Sequence, residues 1–282
     1  MYKKIGLSLI AVLLFALLSA CKGETASDEK KVVKIGVTGT DGQVWDIIKE
    51  KAAKEGITIE LVEFSDYTLP NQALADKEID LNAFQHIAFL NQFKEEHHLD
   101  IVPIGTTVIA PMGIYSEKYK DVSEIPDKAK IAIPDDPSNQ ARALKLLQSA
   151  GLIKLKEDFG LFGDLSGIKE NPKKLEIIPM VAQQTPRVLP DVAASVINNG
   201  IAGQAGFVPN KDAIFLEDPN DPAAQPYINV FAARAEDKDN QTFKKIVEIY
   251  HDPEAVEAIK KDTNGGSVVV DIPIEELEDI IK

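Results

Sequence analysis

The stretch that most limits the possible folds runs from Val32 to Phe64. Val32 to Val37 (VVKIGV) is an apolar run of strand length, and Gln43 to Glu55 places Val44, Ile47 and Ile48 on one helical face. Gly56 ends that helix, and Ile57 to Phe64 (ITIELVEF) alternates as a second strand. This is a βαβ unit, and the alternation continues along the chain. Strands are expected over Asp100–Val108, Gly113–Ser116, Lys128–Pro134, Leu175–Pro179, Asp191–Asn198, Tyr227–Arg234 and Ser267–Val270. Helices are expected over Asn71–Asp76, Gln140–Ala150, from Asn199-Gly200 onward, Asp239–Tyr250, Pro253–Asp262 and Ile274–Ile281. Alternating elements of this kind argue an α/β protein with mixed sheets. Pro111 breaks the path between two apolar strands, which suits a crossing from one lobe to another, and Tyr227–Arg234 suits the return.

One corner stands out within this pattern. In Glu78-Ile-Asp-Leu-Asn-Ala-Phe-Gln-His86, Ile79 and Leu81 alternate as in a strand, and Phe84, Gln85 and His86 are read as opening a helix that runs on through Phe93. Open α/β sheets bind ligands beyond the carboxyl ends of their strands. A ring, an amide and an imidazole delivered there suit a pocket wall. The loop Gly36-x-x-Gly39-x-x-Gly42 matches neither the dinucleotide fingerprint nor a P-loop and reads as a turn into a helix, with Trp45 partly buried beside it.

The N-terminus adds a different constraint. Met1-Tyr-Lys-Lys4 is a short basic segment, Ile5 to Ala20 is apolar but too short to remain as a membrane span, and Leu18-Ser-Ala-Cys21 resembles a bacterial lipobox. Cys21 is the single cysteine of the chain. An exported chain so built has no disulfide, must be stable by packing, and is expected to carry its lipid on Cys21. Residues 1–20 then form the signal peptide and 21–31 a flexible polar tether (KGETASDEKK). The net charge of −14 argues against nucleic acid as a partner and against a protein lying flat on anionic lipid.

Candidates for chemistry are few. His97 and His98 follow two glutamates at a helix end, where cations meet the dipole favourably. With one cysteine and no paired histidines at ligand spacing, no metal site is expected, nor any cofactor. There is no Gly-x-Ser-x-Gly elbow and no Ser, His and acid group, so no catalytic residue is assigned. Arg142 is one of only three arginines and is read as lying in the first turn of a helix behind the cap region Pro137-Ser-Asn139. Such a turn could hold a carboxylate through N–H groups, dipole and guanidinium fork, or Arg142 could be a surface arginine paired with Asp135 or Asp136. Asn198 and Asn229 are amides amid apolar neighbours, and such groups serve either the backbone or a ligand. Tyr67, Phe84 and His86 would form the apolar part of such a site, a setting suited to a thioether.

Five motifs then fall in register. Asp66-Tyr-Thr-Leu-Pro-Asn71, Asn82-Ala-Phe-Gln-His86, Asp136-Pro-Ser-Asn139-x-x-Arg142, Val196-Ile-Asn198 and Pro226-Tyr-Ile-Asn229, together with the lipobox, resemble the NlpA family of methionine-binding lipoproteins, the binding components of methionine ABC importers. The resemblance spans Val32 to about Gly266. It implies a type 2 periplasmic-binding-protein fold, two α/β lobes joined by two crossing strands with ligand in the cleft between them. The expected lobes are 32–110 with 229–282, and 111–228. It implies that Arg142 takes the ligand carboxylate, that Asn198 and Asn229 bind the head group, and that Tyr67, Phe84 and His86 wall the side chain. Ala110 stands where some relatives carry tyrosine, which implies a roomier pocket.

The expected function is a lipid-anchored, monomeric protein on the outer face of the cell membrane. It binds L-methionine and delivers it to the permease and ATPase subunits of an importer. D-methionine, a methionine-containing dipeptide or another amino acid are the alternatives within this class, and a ligand-free interaction or adhesion lipoprotein is the alternative outside it.

Overall fold

The computed structural model describes residues 31–40 and 42–280, so the lipobox, Cys21 and tether residues 22–30 lie outside the described residues, while Lys31, expected to end the tether, already belongs to the first strand. Strand β1 (Lys31–Val37) leads to helix α1 (Val44–Lys54) and strand β2 (Ile57–Glu63), the βαβ unit that the periodicity demands. The start of α1 has no side-chain cap of its own. Asp262, far along the chain, accepts from Gln43 N at 2.7 Å and Val44 N at 2.9 Å, satisfying donors that the helix leaves open. Gly42 precedes this with φ of 97° and lies where a Cβ would strike the Asp262 carboxylate.

Helix α2 (Leu69–Ala75), strand β3 (Leu81–His86), helix α3 (Ile87–His97) and strand β4 (Ile101–Ile109) follow. Here the structure corrects the sequence reading. Phe84, Gln85 and His86 remain in β3, and the helix opens only at Ile87. The reason is long-range pairing. β3 lies parallel to β1 and antiparallel to strand β12 (Ile228–Arg234), with Asn229 opposite His86 and Val230 opposite Gln85. That ladder holds the strand extended three residues further than local pattern suggests.

From Ile109 the chain passes through 110–112 into strand β5 (Gly113–Tyr115), then strand β6 (Lys130–Pro134) and helix α4 (Pro137–Ser149). A short antiparallel pair, β7 (Lys154–Leu155) with β8 (Ile168–Glu170), follows. Strands β9 (Glu176–Met180) and β10 (Ala194–Ile197), helices α5 (Asn199–Gln204) and α6 (Pro209–Asp212), and strand β11 (Phe215–Leu216) complete the middle of the chain. After β12 come α7 (Gln241–Tyr250), α8 (Pro253–Asp262), strand β13 (Val268–Val269) and α9 (Ile274–Ile280).

Two mixed sheets result. The first runs β13-β4-β12-β3-β1-β2 and the second β11-β5-β10-β6-β9. Each is buried on both faces, which is why strands such as KIGV and KIAIP read as nearly continuous apolar runs. Ile35, Ile48, Leu81, Phe231 and Ile246 pack on one face of the first sheet, and Leu74, Ile87, Leu90, Ile101 and Val230 on the other. Ile131, Ile133, Leu144, Leu147 and Val196 form one core of the second sheet, with Tyr115, Leu189 and Ile197 opposite. The chain leaves the first sheet at 110–112 and returns through 217–227, so the fold is two α/β lobes linked by two passages. Among the described residues no helix is long and apolar enough to cross a membrane.

Candidate ligand-binding site

A cavity of about 270 Å³ gathers side chains from both sheets. Tyr67, Phe84, His86, Arg142, Asn198 and Asn229, the six residues singled out in the sequence, all line it. How each arrives there follows from local folding.

Tyr67 sits in a turn held by Asp66, whose Oδ1 accepts from Thr68 N at 2.7 Å, Thr68 Oγ1 at 2.8 Å and Leu69 N at 2.9 Å. The turn is tied to β3 by three buried amides. Asn71 Nδ2 donates to Gln85 Oε1 at 2.7 Å, Gln85 Nε2 donates to Asn71 Oδ1 at 2.6 Å, and Asn82 Nδ2 donates to Asn71 Oδ1 at 2.9 Å. Tyr67 therefore meets Phe84 at 6.0 Å between ring centroids. Phe89 closes this aromatic wall, edge-on to Tyr67 at 6.1 Å and to Phe84 at 6.0 Å. Phe89 is not among the site residues that the sequence singles out. Its place three residues after the capping residue His86, in the first turn of the helix, was the available signal.

His86 ends β3 and caps α3. Its Nδ1 accepts from Phe89 N at 3.1 Å, so the ring proton resides on Nε2, which donates to Asn139 Oδ1 at 3.2 Å. Burial, and secondarily the charge of Arg142, push its pKa down to about 3, against the opposing pull of the Asn139 bond. The sign of the stability effect follows. The unfolded chain takes up a proton below about 6.5 and the folded one does not, so this contribution is whole above 6.5 and is lost as pH falls toward 3. We predict that the unfolding free energy of the wild type, relative to His86→Phe, declines from about pH 6.5 to about pH 4 by up to about 1.4 kcal/mol per unit. Denaturant titrations at several pH values measure it, and a difference independent of pH would contradict the neutral, buried assignment.

Helix α4 begins three residues earlier than its apolar pattern suggests, with Pro137 in its first turn. Arg142 consequently lies in the second turn, not the first. The helix N-terminus is already occupied, since Asp136 Oδ1 accepts from Asn139 N and Ser138 Oγ, each at 3.0 Å. The Asn139 N–H, one of the groups that could hold a carboxylate in the first of the two alternatives, is thereby taken. The surface alternative is excluded. Arg142 is 3% exposed, and its partner is Glu217 rather than Asp135 or Asp136. Its Nε donates to Glu217 Oε1 at 3.0 Å, its Nη2 donates to Glu217 Oε2 and, at 3.0 Å, to Ala110 O, and its Cζ lies over the Tyr227 ring, 4.3 Å from the centroid. Its Nη1 has no hydrogen bond among the described residues.

The two asparagines present acceptors. Asn198 is 8% exposed, its Nδ2 donates to Asn139 Oδ1 at 2.6 Å, and its Oδ1 is buried without a partner. Asn139 in turn donates through Nδ2 to both oxygens of Asp136, at 3.0 and 3.1 Å. A chain Asp136–Asn139 thus fixes the orientation of both Asn198 and His86. Asn229 Nδ2 donates to Val108 O at 3.2 Å and Tyr227 O at 3.3 Å, which leaves its Oδ1 as an acceptor. One guanidinium with a free nitrogen, two amide oxygens and an aromatic wall can hold a carboxylate, an ammonium and an apolar side chain. Among the described residues no group of three His, Cys, Asp or Glu is placed to hold a metal ion.

Two α/β lobes around a small, mostly buried cavity define a protein of the periplasmic-binding-protein type. The family model of NlpA lipoproteins matches residues 33–270. D-methionine-binding lipoprotein MetQ of Escherichia coli K12 is 41% identical over 265 residues, covering 90% of this chain and 96% of MetQ. The crystal structure of protein PG110 from Staphylococcus aureus superimposes with a TM-score of 0.86 at 52% identity, covering 88% of this chain and 98% of PG110. A nutrient-binding protein from Burkholderia cenocepacia, solved bound to methionine, gives 0.80 at 44% identity, covering 84% and 99%. The chain belongs to the NlpA lipoprotein family.

Proposed function

We propose that this chain is a lipid-anchored binding protein that captures L-methionine outside the cytoplasmic membrane and delivers it to an ABC importer, acting as a monomer tethered through Cys21. The observation that carries the reading is the buried, unpartnered Asn198 Oδ1 in the same cavity as Arg142 and Asn229. An orphaned buried acceptor costs free energy that a ligand ammonium would recover. In this reading Arg142 receives the carboxylate through Nη1, and Asn198 and Asn229 accept from the ammonium. Tyr67, Phe84 and His86 surround the thioether. The proposed lobes are 32–110 with 229–282, and 111–228, and ligand contacts from both favour the closed state by differential affinity. The relatives named for D-methionine make the D enantiomer the second candidate.

Trp45 is the only tryptophan and lines the cavity, so its emission reports occupancy. The mature chain, unfolded and refolded to strip it of ligand, should show a saturable change with L-methionine. Asn198→Ala should weaken that binding by about 2 kcal/mol, the cost of one lost hydrogen bond to a charged group. No saturable change in a folded sample would overturn the proposal, and an unaltered affinity in the variant would remove Asn198 from the site.

A further inference from the structure

Glu217 does not line the cavity, yet it governs the one charged side chain that does. Among the described lining residues only Arg142 carries charge, since His86 is held neutral. Glu217 lies at the start of the return passage and is 14% exposed. Its carboxylate accepts from Arg142 Nε and Nη2 and from Met112 N at 3.2 Å, and its own N donates to Met112 O at 3.0 Å. Both passages between the lobes are thereby joined at the guanidinium, which also bonds Ala110 O. Two further acids are bonded to lining residues, Asp136 at the α4 cap through Asn139 and Asp262 at the α1 cap through Val44 N, and neither contacts the guanidinium.

Two consequences follow for a ligand. The Nε and Nη2 edge of the fork is spent on Glu217, so a ligand carboxylate meets Nη1 and gains no bidentate clamp of that edge. The positive charge that the cavity wall presents is also reduced, because the cation is compensated from behind. A lone guanidinium in a dry cavity would attract anions generally and repel an ammonium. We infer that Glu217 sets the charge class of the ligand, restricting the site to net-neutral zwitterions and discriminating against simple anions of the same shape. The inference rests on the reading of the cavity as an amino-acid site.

The test compares L-methionine with 4-(methylsulfanyl)butanoate, which has the same carboxylate and thioether but no ammonium. Calorimetric titration of the mature chain should show wild type preferring methionine. In Glu217→Gln that preference should move at least tenfold toward the anion, whereas Glu217→Asp, which keeps the charge, should move it less than threefold. Thermal melts check that the variants are folded. Should Glu217→Gln fail to fold, the same charge is read without the cation. Adding E217Q to R142Q should then improve the anion relative to methionine at least tenfold. An unchanged ratio in folded E217Q, or between R142Q and the double variant, would reduce Glu217 to a structural partner of Arg142 and overturn the inference. Wild type binding neither compound would instead defeat the amino-acid reading itself.

Discussion

Arg142→Ala is expected to lose both tight ligand binding and a large part of the stability of the fold. The guanidinium is buried and bonded to Glu217 and Ala110 O, with the Tyr227 ring beneath it. Truncation strands Glu217 as an uncompensated acid in a largely buried place, which costs about 3–5 kcal/mol when one partner of a buried pair is removed. It also leaves a bound carboxylate unpaired, for a further loss of about 3 kcal/mol in affinity. Arg142→Lys should recover only part of either loss, because an ammonium is a point charge and cannot serve Glu217, Ala110 O and a ligand together. Urea unfolding and calorimetric titration of the same samples separate the two effects. Near-normal affinity in Arg142→Ala would take the residue out of the binding site, whatever its role in stability.

The second large effect concerns a residue that touches no ligand in this account. Asn71 is fully buried and bonded to Gln85 at both ends of its amide, and its Oδ1 also accepts from Asn82. Asn71→Leu keeps the branched outline of the side chain but, besides being bulkier, leaves Gln85 and Asn82 with unmet groups, each costing about 1–3 kcal/mol. The amide cluster joins the turn carrying Tyr67 to the strand carrying Phe84 and His86, so ligand affinity should fall along with stability. Gln72→Ala, one residue away, loses only an exposed bond to Asp76 and should stay within about 0.5 kcal/mol of wild type. Equal stability of Asn71→Leu and Gln72→Ala would mean that the cluster is not a tie.

What was legible in the sequence divides along the range of the interactions involved. The βαβ unit and the break at Pro111 follow from apolar periodicity and turn residues, which are local, whereas the full two-lobed fold is what the family resemblance implies. Tyr67, Phe84, His86, Arg142, Asn198 and Asn229 were assigned to the site by motifs that resemble the NlpA family, the residues alone making those roles plausible, and one cavity gathers them all. Long-range pairing was invisible. Phe84–His86 remain extended because β12 lies beside them, although their own neighbours suggest a helix. Nothing near Arg142 in sequence points to Glu217, 75 residues on, and nothing near Gln43 points to the Asp262 cap. Asn139 stood within a quoted motif, yet its role as the acceptor shared by His86 and Asn198 depends on β3, α4 and β10 meeting in space.

The central claim is that the cavity holds one free methionine by its head group. The most direct measurement is calorimetric titration of the refolded, ligand-free mature chain with L-methionine, D-methionine, glycyl-methionine and the other common amino acids. Tight, one-to-one binding of L-methionine is expected, with the other amino acids much weaker. Preference for the dipeptide would keep the fold and the transport role and contradict the claim about the ligand. No binding of any of them by a well-folded sample would contradict the claim entirely and favour a surface lipoprotein that works by protein contacts alone.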